Sequence, residues 1–154
     1  MRPTSDRARE ALFSILGDVS QGRVLDLFCG TGALGIEAVS RGAASAVLVD
    51  TDPRLARRNV AELSLEDRCR VVRSDAVRFL TRSRASFDLI LCDPPYGRAE
   101  RLADDLGRLL PGCLAPAGRV VVESAAREPL ELGLPLVAER RFGEALIRIH
   151  ASHE

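Results

Sequence analysis

The sequence predicts an α/β fold, a Rossmann-like doubly wound sheet that is mostly parallel and ends in an antiparallel hairpin. Short β-rich runs alternate with helical ones over most of the chain, several of these runs end on an aspartate, and the last two lie side by side with no helix between them. At 154 residues, 46% hydrophobic and 29% charged, the chain fits one compact core, so residues 1–154 are expected to form one domain. Its apolar stretches, such as Leu89–Cys92, are strand-sized, whereas a membrane-spanning helix needs about 18 or more apolar residues in a row. Met1-Arg2-Pro3-Thr4 runs straight into a charged helical stretch with no apolar signal segment, which assigns the chain to the cytoplasm.

A first helix starts near Thr4 or Ser5, either of which suits an N-cap, and carries Ala8, Ala11, Leu12, Ile15, Leu16 and Val19 on one stripe until Gly17 stops it. Val24–Phe28 reads as a buried strand. Gly30 to Gly32 then turn the chain into a helix bearing Leu34, Ala38 and Val39, with a stop at Gly42. The unit repeats twice: strand Ala46–Val49 closed by Asp50 and helix Pro53–Leu65, then strand Arg70–Arg73 closed by Asp75 and helix Val77–Arg82. Phe87–Cys92 is a fourth strand, halted by Asp93-Pro94-Pro95 because proline has no ladder donor. Leu102, Leu106, Leu109 and Leu110 mark a further helix, and Arg119–Glu123 a fifth strand. Beyond a proline-broken linker, Leu136–Arg141 and Ala145–Ile149 flank Phe142-Gly143-Glu144 and form the closing hairpin. Right-handed crossovers put the site of such a sheet at the carboxyl ends of its strands.

Charge excludes little. The 22 basic residues balance the 22 acidic ones, and every basic residue is arginine, so composition does not reveal an RNA binder. Cys29, Cys69, Cys92 and Cys113 stand far apart with no paired spacing and no histidine cluster, so neither a metal nor a disulfide framework is expected. His150 and His153 are expected at the surface.

Three constellations carry chemistry. The glycines of Asp26-Leu-Phe-Cys-Gly30-Thr-Gly32-Ala-Leu-Gly35 fit a dinucleotide fingerprint, which alone is also met by any tight strand-to-helix turn. Asp26 sharpens the reading: a carboxylate at the strand end repels a pyrophosphate and favours a zwitterionic, sulfonium-bearing ligand. Asp50 lies where an acidic residue meets both hydroxyls of a ribose, while its rival Asp52 is read as a cap for the helix that Pro53 opens. Asp75 could accept from an adenine amine or cap its own helix. The third constellation, Asp93-Pro94-Pro95-Tyr96, holds the only tyrosine. The nitrogen of an exocyclic amine is delocalised into its ring and is a poor nucleophile. A carboxylate on Asp93 and the carbonyl of Pro94 can accept both N–H groups and aim the lone pair at an electrophilic methyl, with Tyr96 stacking on the base. Asn59, on the apolar stripe of its helix, is read as making a helix-surface or inter-element hydrogen bond and not a ligand contact.

On these residues the chain resembles the class I S-adenosylmethionine-dependent methyltransferases, and within them the RsmD-type 16S rRNA guanine-N2 methyltransferases. Arg2–Phe13, Val24–Ala38, Ser40–Ala43 and Phe87–Tyr96 carry the resemblance. It implies that Asp26, Phe28, Gly30 and Gly32 hold the methionine part of S-adenosyl-L-methionine, Asp50 the ribose, and Asp75 with Ala76 the adenine. Asp93, Pro94 and Tyr96 would be catalytic, with Pro95 and Tyr96 against the target base. Thr4 and Arg7 would flank the cofactor pocket. The implied partner is 16S rRNA or a small-subunit assembly intermediate, acted on by a monomer without metal or membrane. The family's basic N-terminal segment has no counterpart ahead of Arg2. Rival readings are an adenine-N6 or other nucleic-acid amine methyltransferase, an RNA-binding homologue that has lost turnover, and an NAD-linked oxidoreductase. Cytosine-C5 chemistry is discounted, because strand alternation turns Cys92 to the face opposite Asp93.

Overall fold

The computed structural model describes residues 6–95 and 99–152. Thr4, the candidate caps at the first helix, Tyr96 and His153 lie outside them. In chain order the elements are α1 (Asp6–Leu16), β1 (Arg23–Leu27), α2 (Ala33–Ser40), β2 (Ser45–Asp50), α3 (Arg54–Glu62), β3 (Cys69–Arg73), α4 (Ala76–Arg82), β4 (Phe87–Cys92), α5 (Ala99–Leu109), a 3-10 turn (Leu110–Cys113), β5 (Leu114–Ala125), β6 (Leu136–Phe142) and β7 (Ala145–Ala151). The strands form one sheet in the order β3-β2-β1-β4-β5-β7-β6. β1 through β5 run parallel, and β7 enters antiparallel to β5 with β6 outside it. The chain travels outward from β1 through β2 to β3 and then returns to start again at β4 beside β1. That reversal is the topological switch point, where ligands of open α/β sheets bind.

Side-chain alternation divides the strands between two apolar layers. Val24, Leu48, Leu89 and Leu91 face α1, α2 and α3, meeting Leu12, Phe13, Val39 and Val60. Leu25, Leu27, Val49, Ile90 and Val122 face the other way, onto Leu80 of α4 and Leu102 and Leu106 of α5. Each fully buried Leu or Phe is worth about 1.5–3 kcal/mol relative to exposure, so these two layers are the main source of the fold's stability. Among the described residues no helix is long and apolar enough to cross a membrane.

Four parts differ from the sequence expectation. Strand β5 runs Leu114–Ala125, beyond the expected Arg119–Glu123 at both ends, pairing with β4 from Leu114 and with β7 as far as Ala125. Helix α3 stops at Glu62: the Leu63 N–H makes the last i→i−4 bond, to Asn59, and Ser64, with φ 56°, bonds to Ala61 and turns the chain off before Leu65. The linker after β5 is no spacer. Leu130, Leu132 and Leu134 are buried, and they close the second layer where another helix would otherwise pack. Pro129 starts this segment and Pro135 ends it, Leu130 and Leu132 share a face by alternation, and a left-handed bend at Gly133 (φ 75°) turns Leu134 in after them. His150 corrects the surface assignment. It is 4% exposed on β7, its Nδ1 lies 3.1 Å from the Leu134 carbonyl oxygen, and its Nε2 has no partner among the described residues. It sits beside buried Ile149, and antiparallel pairing to both β5 and β6 covers its strand on both edges, which an isolated hydropathy reading misses.

Candidate active site

At the carboxyl end of β1 the backbone enters the left-handed region at Phe28 (φ 57°) and again at Gly30 (φ 56°) and Gly32 (φ 82°). This path carries the chain off the sheet and into α2, whose cap is Gly32. Gly35, one turn into α2, has no room for a side chain: a Cβ there would collide with Leu48 and stand 3.2 Å from an oxygen of Asp26. The absence of a methyl lets α2 settle directly on β1 and β2, and it lets the Gly35 N–H donate to Asp26 Oδ2 at 2.9 Å.

Asp26 is 3% exposed. Burial pushes its carboxyl up to about 8; the Gly35 N–H opposes this, and the Asp93 and Asp50 carboxylates push the same way as burial. Asp50 closes β2 and ties two turns together, with Oδ2 accepting from the Gly30 N–H at 2.8 Å and Oδ1 from the Asp52 N–H at 2.9 Å. Each oxygen keeps acceptor capacity for a further donor. Asn59 donates from Nδ2 to the Thr31 carbonyl at 2.9 Å, the inter-element bond its place on the stripe suggested, and so pins α3 to the glycine turn.

Beside these turns lies a cleft of about 760 Å³, large enough for a nucleoside-sized ligand. Asp26, Phe28, Gly30, Asp50 and Asp93 all reach it, Asp93 from the segment that follows β4 across the switch point. Pro94 is buried and Pro95 exposed, and neither lines the cleft. Gly32, Asp75, Ala76 and Arg7 also stand outside its lining. Asp75 is the N-cap of α4, accepting from the Arg78 N–H at 3.0 Å, and Ala76 is buried in the first turn behind it. Pro53 holds the cap position of α3, while Asp52 Oδ1 accepts from the Arg54 N–H at 3.4 Å, as the cap reading expected; Asp52 also forms a bidentate pair with the Arg54 side chain at 2.8 Å and joins the cleft wall. Leu55 and Arg58 complete that wall from α3. Their signal in the sequence was faint: they lie three residues apart, off the buried Ala56 and Val60 stripe.

The thiols of Cys29 and Cys92 are pushed far above the ordinary cysteine range, first by burial and then by the neighbouring carboxylates. Cys92 packs into the α4 and α5 layer while Asp93 faces the cleft, so this loop presents no thiolate nucleophile. Among the described residues no group of three or more His, Cys, Asp and Glu side chains is arranged to hold a metal ion.

A family model described as Conserved hypothetical protein 95 matches residues 1–151. Ribosomal RNA small subunit methyltransferase D of Escherichia coli K12 is 39% identical over 143 residues, covering 89% of this chain and 69% of that one. The solved structure of Escherichia coli yhhF superposes with a TM-score of 0.86 at 32% identity, over 99% of this chain and 88% of that one. An RNA methyltransferase from Salinibacter ruber, solved with S-adenosyl-L-homocysteine, shares the fold at a TM-score of 0.75 and 18% identity, over 99% and 95% of the two chains. The chain therefore belongs to the Conserved hypothetical protein 95 family, the RsmD-type methyltransferases that its glycine turn and Asp-Pro-Pro-Tyr motif resemble.

Proposed function

We propose that the chain methylates the exocyclic N2 amine of a guanine in 16S rRNA, using S-adenosyl-L-methionine. The observation that carries this reading is the meeting of Asp26, Asp50 and Asp93 in one cleft at the switch point. A relative that is 39% identical is named a small-subunit ribosomal RNA methyltransferase, which supplies the substrate class.

The donor set fits the cofactor. Asp26 is buried without a cationic partner among its charged neighbours, so a ligand ammonium relieves its desolvation where a pyrophosphate would compound it. Asp50 would accept from the ribose hydroxyls with the capacity left on its two oxygens. Phe28, Gly30 and Gly32 would bound the methionine part. Asp75 would offer Oδ1 to the adenine amine while Oδ2 caps α4, with Ala76 beneath. Bound there, the cofactor supplies a methyl group on a sulfonium, which is already a good leaving group.

The work of the protein is then to prepare the amine. The target base is turned out of its stack into the cleft. Asp93 and the Pro94 carbonyl accept its two N–H bonds, which favours a pyramidal nitrogen and points the lone pair along the transfer axis. Tyr96 and Pro95 hold the base. As the new C–N bond forms the N–H acidity rises, so Asp93 need not be a strong base and the proton can pass to solvent afterwards. This reading has a monomer acting in the cytoplasm on 16S rRNA or an assembling small subunit.

Incubating the purified chain with methyl-labelled cofactor and small-subunit particles, then mapping the label, tests it. Label on a guanine N2 supports the reading. Label on a ring carbon or on an adenine, or none at all, overturns it.

A further inference from the structure

On the α4 side of the sheet, away from the cleft, lies a second hollow of about 700 Å³ between that helix and the β2–β3 edge. Six arginines stand around it: Arg23, Arg70, Arg73, Arg78, Arg82 and Arg84. Asp75 is the single acidic side chain among the residues lining it. All six arginines are exposed, and none forms an ion pair within 4 Å among the described residues, although the chain as a whole is neutral. Elsewhere Arg9, Arg41, Arg54, Arg108 and Arg148 find carboxylates, and others such as Arg57 and Arg58 find none among the described residues, so what sets the hollow apart is six arginines around one concavity with a single carboxylate among them.

Six like charges around one concavity repel each other. Arg78 and Arg82 add to this one turn apart on α4, a spacing at which like charges weaken a helix. Such an arrangement is relieved by an anionic occupant. Its shape says which kind. Arg70 and Arg73 stand near the two ends of β3, their odd spacing turning the side chains to opposite faces of that edge strand, while Arg23 opens β1 and Arg84 precedes β4 at the amino edge of the sheet. The charge is therefore drawn out along a line, as a polymer of phosphates is, and not focused on one point. The guanidinium fork matches phosphate oxygens in pairs. The line also leads to the site. Arg73 ends β3 at the carboxyl edge of the sheet, where the cleft opens, and Asp52 of the cleft wall, held at about 2 first by its hydrogen bonds from Arg54, also feels the Arg73 charge.

We propose that this arginine hollow binds the phosphodiester backbone of the RNA that carries the target base, gripping the strand on the opposite face from the cleft. The inference rests on the reading of the substrate as RNA. It assigns affinity to the hollow and chemistry to the cleft.

Fluorescence anisotropy of a labelled 16S rRNA transcript with the full chain, across a salt series, tests it. Each phosphate contact contributes about 0.7 to 0.9 to the slope of log affinity against log salt. R78A/R82A is expected to reduce that slope by about 1.5 and to weaken binding about tenfold at 0.1 M salt. R78K/R82K keeps the charge and should restore most of the slope. R70A/R84A, at the far end of the hollow, gives an independent reading should the α4 pair disturb folding. R108A, which removes an ion-paired arginine on α5, should leave the slope alone. Cofactor affinity by calorimetry should stay within about twofold in R70A/R84A, whose positions lie outside the cleft lining, whereas R78A/R82A, with Arg78 bonded to the proposed adenine contact Asp75, is read by its salt slope. Wild-type slope and affinity in both alanine pairs would overturn the proposal, as would weaker binding with an unchanged slope. The two readings fail separately: an arginine-dependent slope without methyl transfer upholds the hollow and sinks the enzyme, and methyl transfer with an indifferent slope does the reverse.

Discussion

The cleft and the arginine hollow hold opposite charge in opposite ways. In the cleft, Asp26 and Asp50 are fixed by backbone N–H groups of Gly35, Gly30 and Asp52, so each carboxylate is part of the turn that surrounds it. In the hollow, six long side chains extend from β1, β3, α4 and the approach to β4 with no fixed partner among the described residues. Charge bound into the backbone can orient a small ligand to within the tolerance that chemistry demands. Charge on free stems tolerates many geometries and is screened by salt. The contrast suggests a division of labour, and it can be attacked at several points.

Asp93→Ala should have the largest effect. Losing one of two acceptors for the reacting amine is expected to lower kcat about 10²–10³-fold, with cofactor affinity nearly unchanged. Single-turnover assays with calorimetry in parallel check it, and near-normal turnover would remove Asp93 from the mechanism. Asp50→Ala comes next. It removes the ribose acceptor and also releases the Gly30 and Asp52 N–H groups, so cofactor binding should weaken by about 1.5–3 kcal/mol. An unchanged dissociation constant would mean that Asp50 only braces the turn.

A third test uses pH. Because burial raises the Asp26 carboxyl to about 8, the folded chain holds a proton there that the unfolded chain has already lost above about pH 4. Native protein thus binds more protons across that window, and this group's contribution to stability falls as pH rises from about 4 to 8 and levels off above. A cationic ligand selects the ionised form, so cofactor affinity should climb over the same approach to pH 8. Asp26→Asn should flatten both trends, the first followed by thermal melts and the second by calorimetry. If affinity were level with pH in the wild type, Asp26 would not face the ligand's cation. The smallest effect is expected from salt alone: raising it from 0.05 to 0.3 M should shift cofactor affinity by no more than about twofold, because buried groups are little screened. A steep dependence would mean that the exposed Arg58 on the cleft wall, and not Asp26, dominates binding.

Much of the fold was legible because alternation is a local signal. Each of β1 to β4 reads as a short apolar run, and Asp50, Asp75 and Asp93 follow from the strand ends they close. What is written across several elements was not legible. The hollow draws its arginines from segments as distant as Arg23 and Arg84, and no window on the sequence contains them together. Asp75 reads equally as ligand or cap, and only the position of the Arg78 N–H reveals that it caps. His150 looked exposed because it stands near the chain end, yet pairing on both sides of β7 buries it. Leu130, Leu132 and Leu134 were hidden by the prolines around them, which read as linker punctuation although they also bound a packed strap.

That strap differs from a helix in what it keeps when it lifts. A detached helix can retain its own backbone bonds, whereas this segment is tied at its ends, by Ala126 to the Glu144 carbonyl, Glu128 to Ala125, and Ala151 to Pro135, with His150 reaching Leu134. Between those ties three leucine side chains and the ion pair of Glu131 with Arg148, at 3.1 Å, hold it down. The strap should therefore behave as a separate opening unit whose amide hydrogens exchange through one shared event well below global unfolding. The outer hairpin, which shares the Leu134–His150 tie, would be loosened with it, while β1 and β4 beneath the cleft stay closed.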